Sequence, residues 1–448
     1  MDFIEDLRLV DGPVLWSAWA AGAAGLLYLL WWRSEASWTR RALGAGAAAL
    51  VSALLAAALV AGVHWLLIYV FSVFPDVLPL DVLAWSVPAV AAALLLLLHL
   101  RRTWGAERAA RPWRKTAAAT AAVLGVVSLS AVQINDYFGL NHTVSDLTGT
   151  AVARIQPLED SLKRAPAAPS GVSLSRWQAP AGLPDGGGFW RASIPGTDSG
   201  FQSRAAYIYL PPAYQASPRP ALPVLVLFSG QPGAPGDWLT GGALRSRMDR
   251  FAAAHQGVSP VVVVVDPNGS ASGNTMCMDS RIAQADTFLS QDVPAWISQT
   301  LDVDQDHRQW AVGGFSFGGT CAMQMVTRHP EIYSAALAFS SEKEPAIAKE
   351  RDKTIGASFG GDAEAFDRLT PLRLMAERRF EGDAIYFAAG ARDSEFIGYM
   401  DVLSDAARTA GFTVETRRIA NAGHSWQTAS SGLPGGLDFL AARWGIQP

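Results

Sequence analysis

Residues 309–330 read QWAVGGFSFGGTCAMQMVTRHP, and our fold prediction for the chain rests mainly on this segment. The run 309–312 is typical of a buried strand, and 317–328 has the pattern of a helix. Between them, GFSFG at 314–318 matches the G-x-S-x-G pattern of a nucleophile elbow, a tight turn that presents a serine hydroxyl. Because a strand precedes the pattern and a helix follows it, we predict that Ser316 is a catalytic nucleophile.

Strand-like and helix-like segments alternate on both sides of this turn. Strands are predicted at 189–194, 205–210, 223–228, 261–265, 309–312, 335–339, 384–388 and 413–419, and helices at 240–255, 287–301, 317–328, 397–410 and 434–444. Two of the strands, 223–228 and 261–265, are continuously apolar, as strands covered on both faces are. Residues 189–448 are therefore predicted to form an α/β-hydrolase domain, a mostly parallel sheet with helices on both faces.

A serine nucleophile needs a general base and an acid that orients it. In this fold the chain order is serine, acid, histidine. His424 lies in AGHSW at 422–426, after the last predicted strand and before the last helix, so it is the predicted base. Asp393 follows the predicted strand 384–388 and is the preferred acid, with Glu395 as the alternative.

The oxyanion hole is predicted to use the backbone N–H of Phe317 and a second donor from the SGQP loop at 229–232. Pro232 has no N–H, so Gly230 or Gln231 must supply that donor, and we favour Gln231. No Cys/His cluster has the spacing of a zinc site, so neither a metal nor another cofactor is expected.

Two cysteines are present, Cys277 and Cys321, and the second falls in the helix after the elbow. Both are predicted to lie outside the cytoplasm, where an oxidising environment permits a disulfide. We therefore predict a Cys277–Cys321 bond, with a pair of buried thiols as the alternative.

The apolar residues are concentrated at the start of the chain. Overall, 50% of the 448 residues are hydrophobic and only 17% are charged, with a mean hydropathy of +0.16. Four apolar runs, at 12–32, 45–71, 82–100 and 116–134, each approach the roughly 20 residues that cross a bilayer. We predict a four-helix membrane domain at 1–134, followed by a neck and Pro/Gly-rich linker at 135–188.

The charges of the connecting loops predict the orientation of this domain in the cell membrane. Basic residues are concentrated in the first and third connections: Arg33, Arg40, Arg41, Arg101, Arg102, Arg108, Arg111, Arg114 and Lys115. The second connection carries Asp76 and Asp81 and no basic residue. By the positive-inside rule both ends of this multi-pass domain face outward, so the hydrolase domain is extracytoplasmic. The net charge of −4 argues against nucleic acid as a partner.

Several local features resemble a known family. They are AYIYLPP at 206–212, the elbow around Ser316, RHP at 328–330, and GHSW at 423–426. With these, the region from about residue 189 resembles the esterase D-like putative esterases, α/β-hydrolases related to the antigen 85 mycolyltransferases, in an actinobacterial membrane-anchored form. The resemblance implies a triad of Ser316, His424 and an acid, and mycolyltransferases use Glu at the position that we assign to Asp393.

The function predicted from these features is that of a membrane-anchored serine esterase acting on a lipid or cell-envelope ester. An acyltransferase that moves the acyl group to a sugar or lipid hydroxyl needs the same triad, so the sequence leaves that alternative open. An alternative of another class is a catalytically silent, envelope-binding protein. The expected partners are the ester substrate and the membrane.

Overall fold

A computed structural model describes residues 2–31, 37–73, 75–105, 112–164 and 171–447. The chain divides into two compact units, Met1–Gly149 and Thr150–Pro448. Residues 150–164 and 171–188, which the sequence assigns to a neck and linker, belong to the second unit. Leu158 N donates to the Arg191 carbonyl at 2.9 Å, for example, so this segment is hydrogen-bonded to the sheet domain. The predicted loop residues Arg33, Arg108 and Arg111 lie outside the described residues.

The first unit consists of long apolar helices. Its main helices are α1 Gly12–Leu30, α2 Trp38–Trp65, which continues as a π-helix at Leu66–Val70, α3 Leu80–Gly105 and α4 Pro112–Phe138, with short helices at Asp2–Glu5 and Val144–Leu147. Four spans are long and apolar enough to cross a membrane, with mean hydropathies from 1.4 to 2.3. The prediction of four long apolar helices is thus confirmed among the described residues.

Helices α1 and α4 approach closely because small residues face each other. A Cβ atom on Gly25 would clash with the Ala122 carbonyl oxygen, and one on Gly125 would lie 2.8 Å from the Ala21 carbonyl oxygen. Small residues at a helix crossing allow the two backbones to approach closely. This close packing is a main source of helix association in a bilayer, because burial of apolar surface does not drive association there.

The second unit is built on one eight-stranded sheet. Its strands are β1 Gly188–Ala192, β2 Ala206–Leu210, β3 Val224–Phe228, β4 Val261–Val265, β5 Trp310–Phe315, β6 Ala335–Phe339, β7 Ala384–Gly390 and β8 Thr413–Ile419. The spatial order is β1-β2-β4-β3-β5-β6-β7-β8. Strand β2 runs antiparallel to both β1 and β4, and the pairs from β4 to β8 are parallel. Strands β3 to β7 are buried along their whole length, so both faces of the sheet are covered.

The main helices of this unit are α5 Leu244–Ala254, α6 Val293–Thr300, α7 Phe317–Arg328, α8 Arg351–Phe359, α9 Ala363–Asp367, α10 Pro371–Glu377, α11 Ser394–Ala410 and α12 Trp426–Trp444. Short helical segments occur at Thr150–Ala153, Ala285–Thr287 and Phe288–Asp292. The predicted α/β-hydrolase architecture is confirmed. Several boundaries differ by a few residues: β5, for example, extends to Phe315, and α12 begins eight residues before the predicted start at 434. Helices α8, α9 and α10 were not among the predicted elements.

Helix α12 passes through a segment that the sequence reads as a helix breaker, because it contains Gly432, Pro434 and Gly436. A Cβ atom on Gly432 would lie 3.0 Å from the Phe339 ring, and one on Gly436 would lie 3.0 Å from Leu337. The glycines therefore allow the helix to pack directly on β6, and this tertiary contact outweighs their low helix propensity.

Candidate active site

Ser316 lies in the sharp turn between β5 and α7. Its φ of 57° and ψ of −122° fall in a region that non-glycine residues rarely adopt, a strain of about 1–3 kcal/mol that surrounding contacts must offset. One of these contacts is the hydrogen bond from Ser316 N to the Phe339 carbonyl, at 2.8 Å. A Cβ on Gly314 would clash with the backbone of Gly318, and one on Gly318 would clash with the Phe228 carbonyl. The two glycines of the motif are thus required by this turn.

The structure brings the three predicted triad residues together. Ser316 Oγ lies 2.8 Å from His424 Nε2, and His424 Nδ1 lies 3.0 Å from Asp393 Oδ2. Only 20% of the His424 side chain and 10% of the Asp393 side chain are exposed, so both hydrogen bonds are largely shielded from water. With the tautomer that carries its proton on Nδ1, His424 donates to Asp393 and can accept the hydroxyl proton of Ser316.

The two candidate acids have different partners. Asp393 caps α11, where its Oδ1 accepts a hydrogen bond from Phe396 N at 3.4 Å while Oδ2 faces His424. Glu395 instead accepts hydrogen bonds from Lys349 Nζ at 3.1 Å and from the Tyr399 hydroxyl at 2.7 Å. Burial raises the pKa of Glu395, but these hydrogen bonds outweigh burial and hold that pKa below its ordinary value. The geometry therefore places Asp393, and not Glu395, in the position of the acid.

Aromatic rings fix the orientation of the imidazole. The ring centroid of His424 lies 4.0 Å from that of Phe396 and 5.1 Å from that of Phe315. Trp426 packs on Phe315 at 5.1 Å and edge-on against Trp238 at 5.3 Å. Neither Phe315 nor Phe396 was predicted as a site residue, although each is a large apolar residue within three positions of a triad residue.

The predicted oxyanion donors lie on two elements next to Ser316. Phe317 is the first residue of α7, so its N–H belongs to the helix terminus that carries partial positive charge. The loop after β3 contacts the nucleophile, since a Cβ on Gly230 would lie 3.7 Å from Ser316 Cβ. The Gln231 side-chain amide donates to the Ser272 carbonyl, 3.3 Å away, and the backbone N–H of Gln231 as the second donor stays a prediction.

An ion pair that was not predicted from the sequence braces this loop. Arg204 binds Asp266 through Nε at 2.7 Å and Nη2 at 2.8 Å, and the same Nη2 donates to the Gly233 carbonyl at 3.0 Å. Asp237 accepts from Ala234 N at 2.8 Å, and burial raises the pKa of Asp237. Arg204 and Asp266 are 62 residues apart in the chain, so no local pattern connects them.

Cys277 and Cys321 form a disulfide, with Cα atoms 5.5 Å apart and both side chains buried. Two hydrogen bonds add to this link: Gln324 Nε2 donates to the Met276 carbonyl at 2.7 Å, and Arg328 Nη2 to the Cys277 carbonyl at 2.6 Å. The loop after β4 is thereby attached along α7, the helix that starts at the nucleophile. Within the described ranges, no group of three or more His, Cys, Asp or Glu residues could hold a metal ion.

Residues 201–435, slightly more than half of the chain, match the sequence profile of the family described as "Putative esterase". The chain belongs to the putative esterase family. The family assignment that the sequence motifs suggested is therefore confirmed, and the second unit is an esterase-type serine hydrolase domain.

The chain is also similar to individual proteins in sequence and in fold. An uncharacterised protein of Corynebacterium glutamicum is 41% identical over 255 residues, which are 56% of this chain and 59% of that protein. The chain thus spans about three fifths of the length of this curated relative. A ferulic acid esterase structure covers 58% of the chain and 99% of its own, at 20% identity and a TM-score of 0.50, which shows a shared fold. An S-formylglutathione hydrolase of Agrobacterium tumefaciens covers 58% and 97%, at 20% identity and a TM-score of 0.48.

Proposed function

We propose that this esterase-family domain hydrolyses a lipid or cell-envelope ester on the outer side of the cell membrane, through an acyl-enzyme on Ser316. The observation that carries the proposal is the continuous hydrogen-bonded series from Ser316 Oγ through His424 to Asp393, with contacts of 2.8 and 3.0 Å. A serine is a weak nucleophile by itself, and this arrangement is the one that activates it.

The proposed reaction has two steps. His424 Nε2 takes the hydroxyl proton as Ser316 Oγ attacks the ester carbonyl, and then returns that proton to the leaving alcohol. Water next gives a proton to the same nitrogen as it attacks the acyl-enzyme, and that proton passes to Ser316 Oγ as the acyl–Oγ bond breaks and the acid leaves. Asp393 remains ionised throughout, holds the required tautomer and stabilises the imidazolium.

Negative charge on the carbonyl oxygen would be stabilised by the backbone N–H of Phe317 and by the loop at 229–232. Arg204 supports that loop through the Gly233 carbonyl, so the second donor is held before the substrate arrives. Loss of one donor of this kind costs about 3 kcal/mol of transition-state stabilisation.

The substrate class and the orientation are proposed from the membrane unit. Four candidate spans keep the hydrolase domain at a bilayer surface, which favours esters that are themselves held in the membrane or envelope. The basic residues Arg40, Arg41, Arg114 and Lys115 lie in the first four residues of the second and fourth spans, and the positive-inside rule assigns them to the cytoplasm.

Activity-based labelling of the full-length protein in membranes tests the proposed chemistry. We expect a fluorophosphonate probe to label the wild type and the control variant Ser246→Ala, whose serine lies exposed on α5, but not Ser316→Ala or His424→Ala. Labelling that survives Ser316→Ala would end the proposal, and an absence of labelling in the wild type would favour a silent, envelope-binding protein.

Two further measurements address orientation and substrate. Because both native cysteines are bonded, cysteines introduced at single sites can be labelled selectively. An impermeant thiol reagent should modify Ser246→Cys on intact cells and Arg40→Cys only after permeabilisation, whereas the reverse result would contradict the orientation. Lipid profiling of a deletion strain should show accumulation of an esterified lipid or glycan. Loss of an acylated product instead would indicate acyl transfer.

A further inference from the structure

Strand β8 forms an open edge of the sheet. Among the residues that the structure describes, it pairs with β7 alone, and four consecutive residues, 415–418, are exposed. Thr413 N donates to the Asp383 carbonyl, and the Ile419 carbonyl accepts from Ala391 N, both at 2.9 Å and both on the β7 side. Because successive residues of a strand direct their backbone groups to alternate edges, Val414, Thr416 and Arg418 present N–H and C=O groups at the free edge.

One face of this edge is open and carries both signs of charge. Side chains of alternate residues, including Glu415 and Arg417, line a groove of about 790 Å³ between β8 and α12. Within the described part of the chain, no hydrogen bond or ion pair of either side chain is found, whereas Arg418 on the other face pairs with Asp401 at 3.2 Å. Glu415 and Arg417 are therefore accessible to a partner.

We propose that this edge binds a second copy of the chain, with the two β8 strands antiparallel and centred on Thr416. In this register Glu415 lies opposite the partner's Arg417 on the open face, and Arg417 lies opposite the partner's Glu415. Opposite charges directly across an antiparallel pair stabilise it, and like charges destabilise it. The strand is thus self-complementary about its central residue.

The register follows from charge and backbone direction together. A two-fold axis at Glu415 or Arg417 would place like charges opposite each other, and an axis at Arg418 would do the same on the other face. An axis at Val414 would leave both charges without an opposite partner. With the axis at Thr416, the outward backbone groups of Val414 in one copy lie opposite those of Arg418 in the other copy. The outward groups of Thr416 lie opposite those of Thr416 in the other copy. Both arrangements are the ones that hydrogen-bonded pairs require.

Complementary charge reversals test this interface in the full-length protein. Glu415→Arg places Arg opposite Arg, and Arg417→Glu places Glu opposite Glu, so each variant alone should dissociate at least about tenfold more readily than the wild type. Mixed together, the two variants restore both Glu–Arg pairs and should form a one-to-one heterodimer. Native mass spectrometry of detergent-solubilised protein measures these populations. Glu364→Arg, the same charge change on exposed α9, is the control and should dimerise like the wild type.

The mixing step separates this proposal from a general loss of folding, because misfolded variants would aggregate and would not form a defined one-to-one heterodimer. A wild-type protein that is monomeric in native membranes and in detergent would overturn the proposal. So would single variants that remain dimeric, since another surface would then hold the two copies together. Labelling of Ser316 is independent of each of these outcomes.

Discussion

Replacing Asp393 with asparagine tests the proposed triad with little disturbance of the fold. Asparagine is as good a helix N-cap as aspartate, so the bond from Phe396 N to Oδ1 can be kept. At the Oδ2 position, however, an amide group would donate to His424 Nδ1, 3.0 Å away. The imidazole would then carry its proton on Nε2 and could no longer accept the proton of Ser316.

The expected loss follows from this change of tautomer. In a serine hydrolase triad the substitution lowers the rate by about 10⁴-fold, which corresponds to roughly 5.5 kcal/mol of activation free energy. We expect Asp393→Asn to slow both fluorophosphonate labelling and the hydrolysis of a p-nitrophenyl ester by about this factor. The apparent unfolding temperature, followed by tryptophan fluorescence, should change little.

Glu395→Gln is the matched control, because it removes a carboxylate charge two positions away in the same helical turn. Its hydrogen-bond partners are Lys349 and Tyr399, so we expect the labelling rate to stay within about tenfold of the wild type. If Asp393→Asn kept more than a tenth of the activity while Glu395→Gln lost most of it, Glu395 would be the acid. Our interpretation of the geometry would then be wrong.

Three further predictions concern the same domain. Replacing both Cys277 and Cys321 with serine should lower the free energy of unfolding by about 4 kcal/mol, because the bond closes a loop between residues 44 positions apart; unchanged thermal unfolding under reducing conditions would contradict this. Burial raises the pKa of Asp383 to about 6, so this carboxyl binds its proton more tightly in the folded protein than in the unfolded chain. Its contribution to the free energy of unfolding is therefore fully present below about pH 4 and is lost as the pH rises through about 6. At pH 7.5 the free energy of unfolding of Asp383→Asn should therefore exceed that of the wild type by about 1 kcal/mol, after allowance for solvent screening. At pH 4 the two proteins should be equally stable. A difference in stability that is the same at both pH values would refute the assignment. Gly318→Ala should abolish fluorophosphonate labelling, since the new Cβ would clash with the backbone. Gly398→Ala, which has open space around it, should leave labelling unchanged and should be neutral or stabilising by up to about 1 kcal/mol. Equal labelling of the two variants would show that the turn tolerates a side chain.

The nucleophile turn and the strands around it could be predicted because their information is local. The pattern at 314–318 needs glycines where the backbone of the turn meets itself and β3, and such a steric requirement appears directly in the sequence. Continuous apolar runs such as 261–265 likewise indicate strands that are buried on both faces.

Element boundaries and polar partners were less accessible. The start of α12 was predicted eight residues late, because Pro434 and its neighbouring glycines favour a helix break unless β6 packs against them. The choice between Asp393 and Glu395 stayed open in the sequence, since two carboxylates two residues apart fit the same motif. Only the direction of each side chain from the start of α11 distinguishes them.

The fold class, the four apolar spans, the candidate nucleophile Ser316 and its candidate base His424 could be inferred from the sequence, since each is encoded by residues adjacent in the chain. The folded chain was needed to show which carboxylate meets His424, that Arg204 braces the loop beside the nucleophile, and that β8 presents its charges at an open edge. These features depend on the folded backbone, because it brings together residues far apart in the chain. Asp393 and His424 are 31 positions apart, and Arg204 and Asp266 are 62 apart.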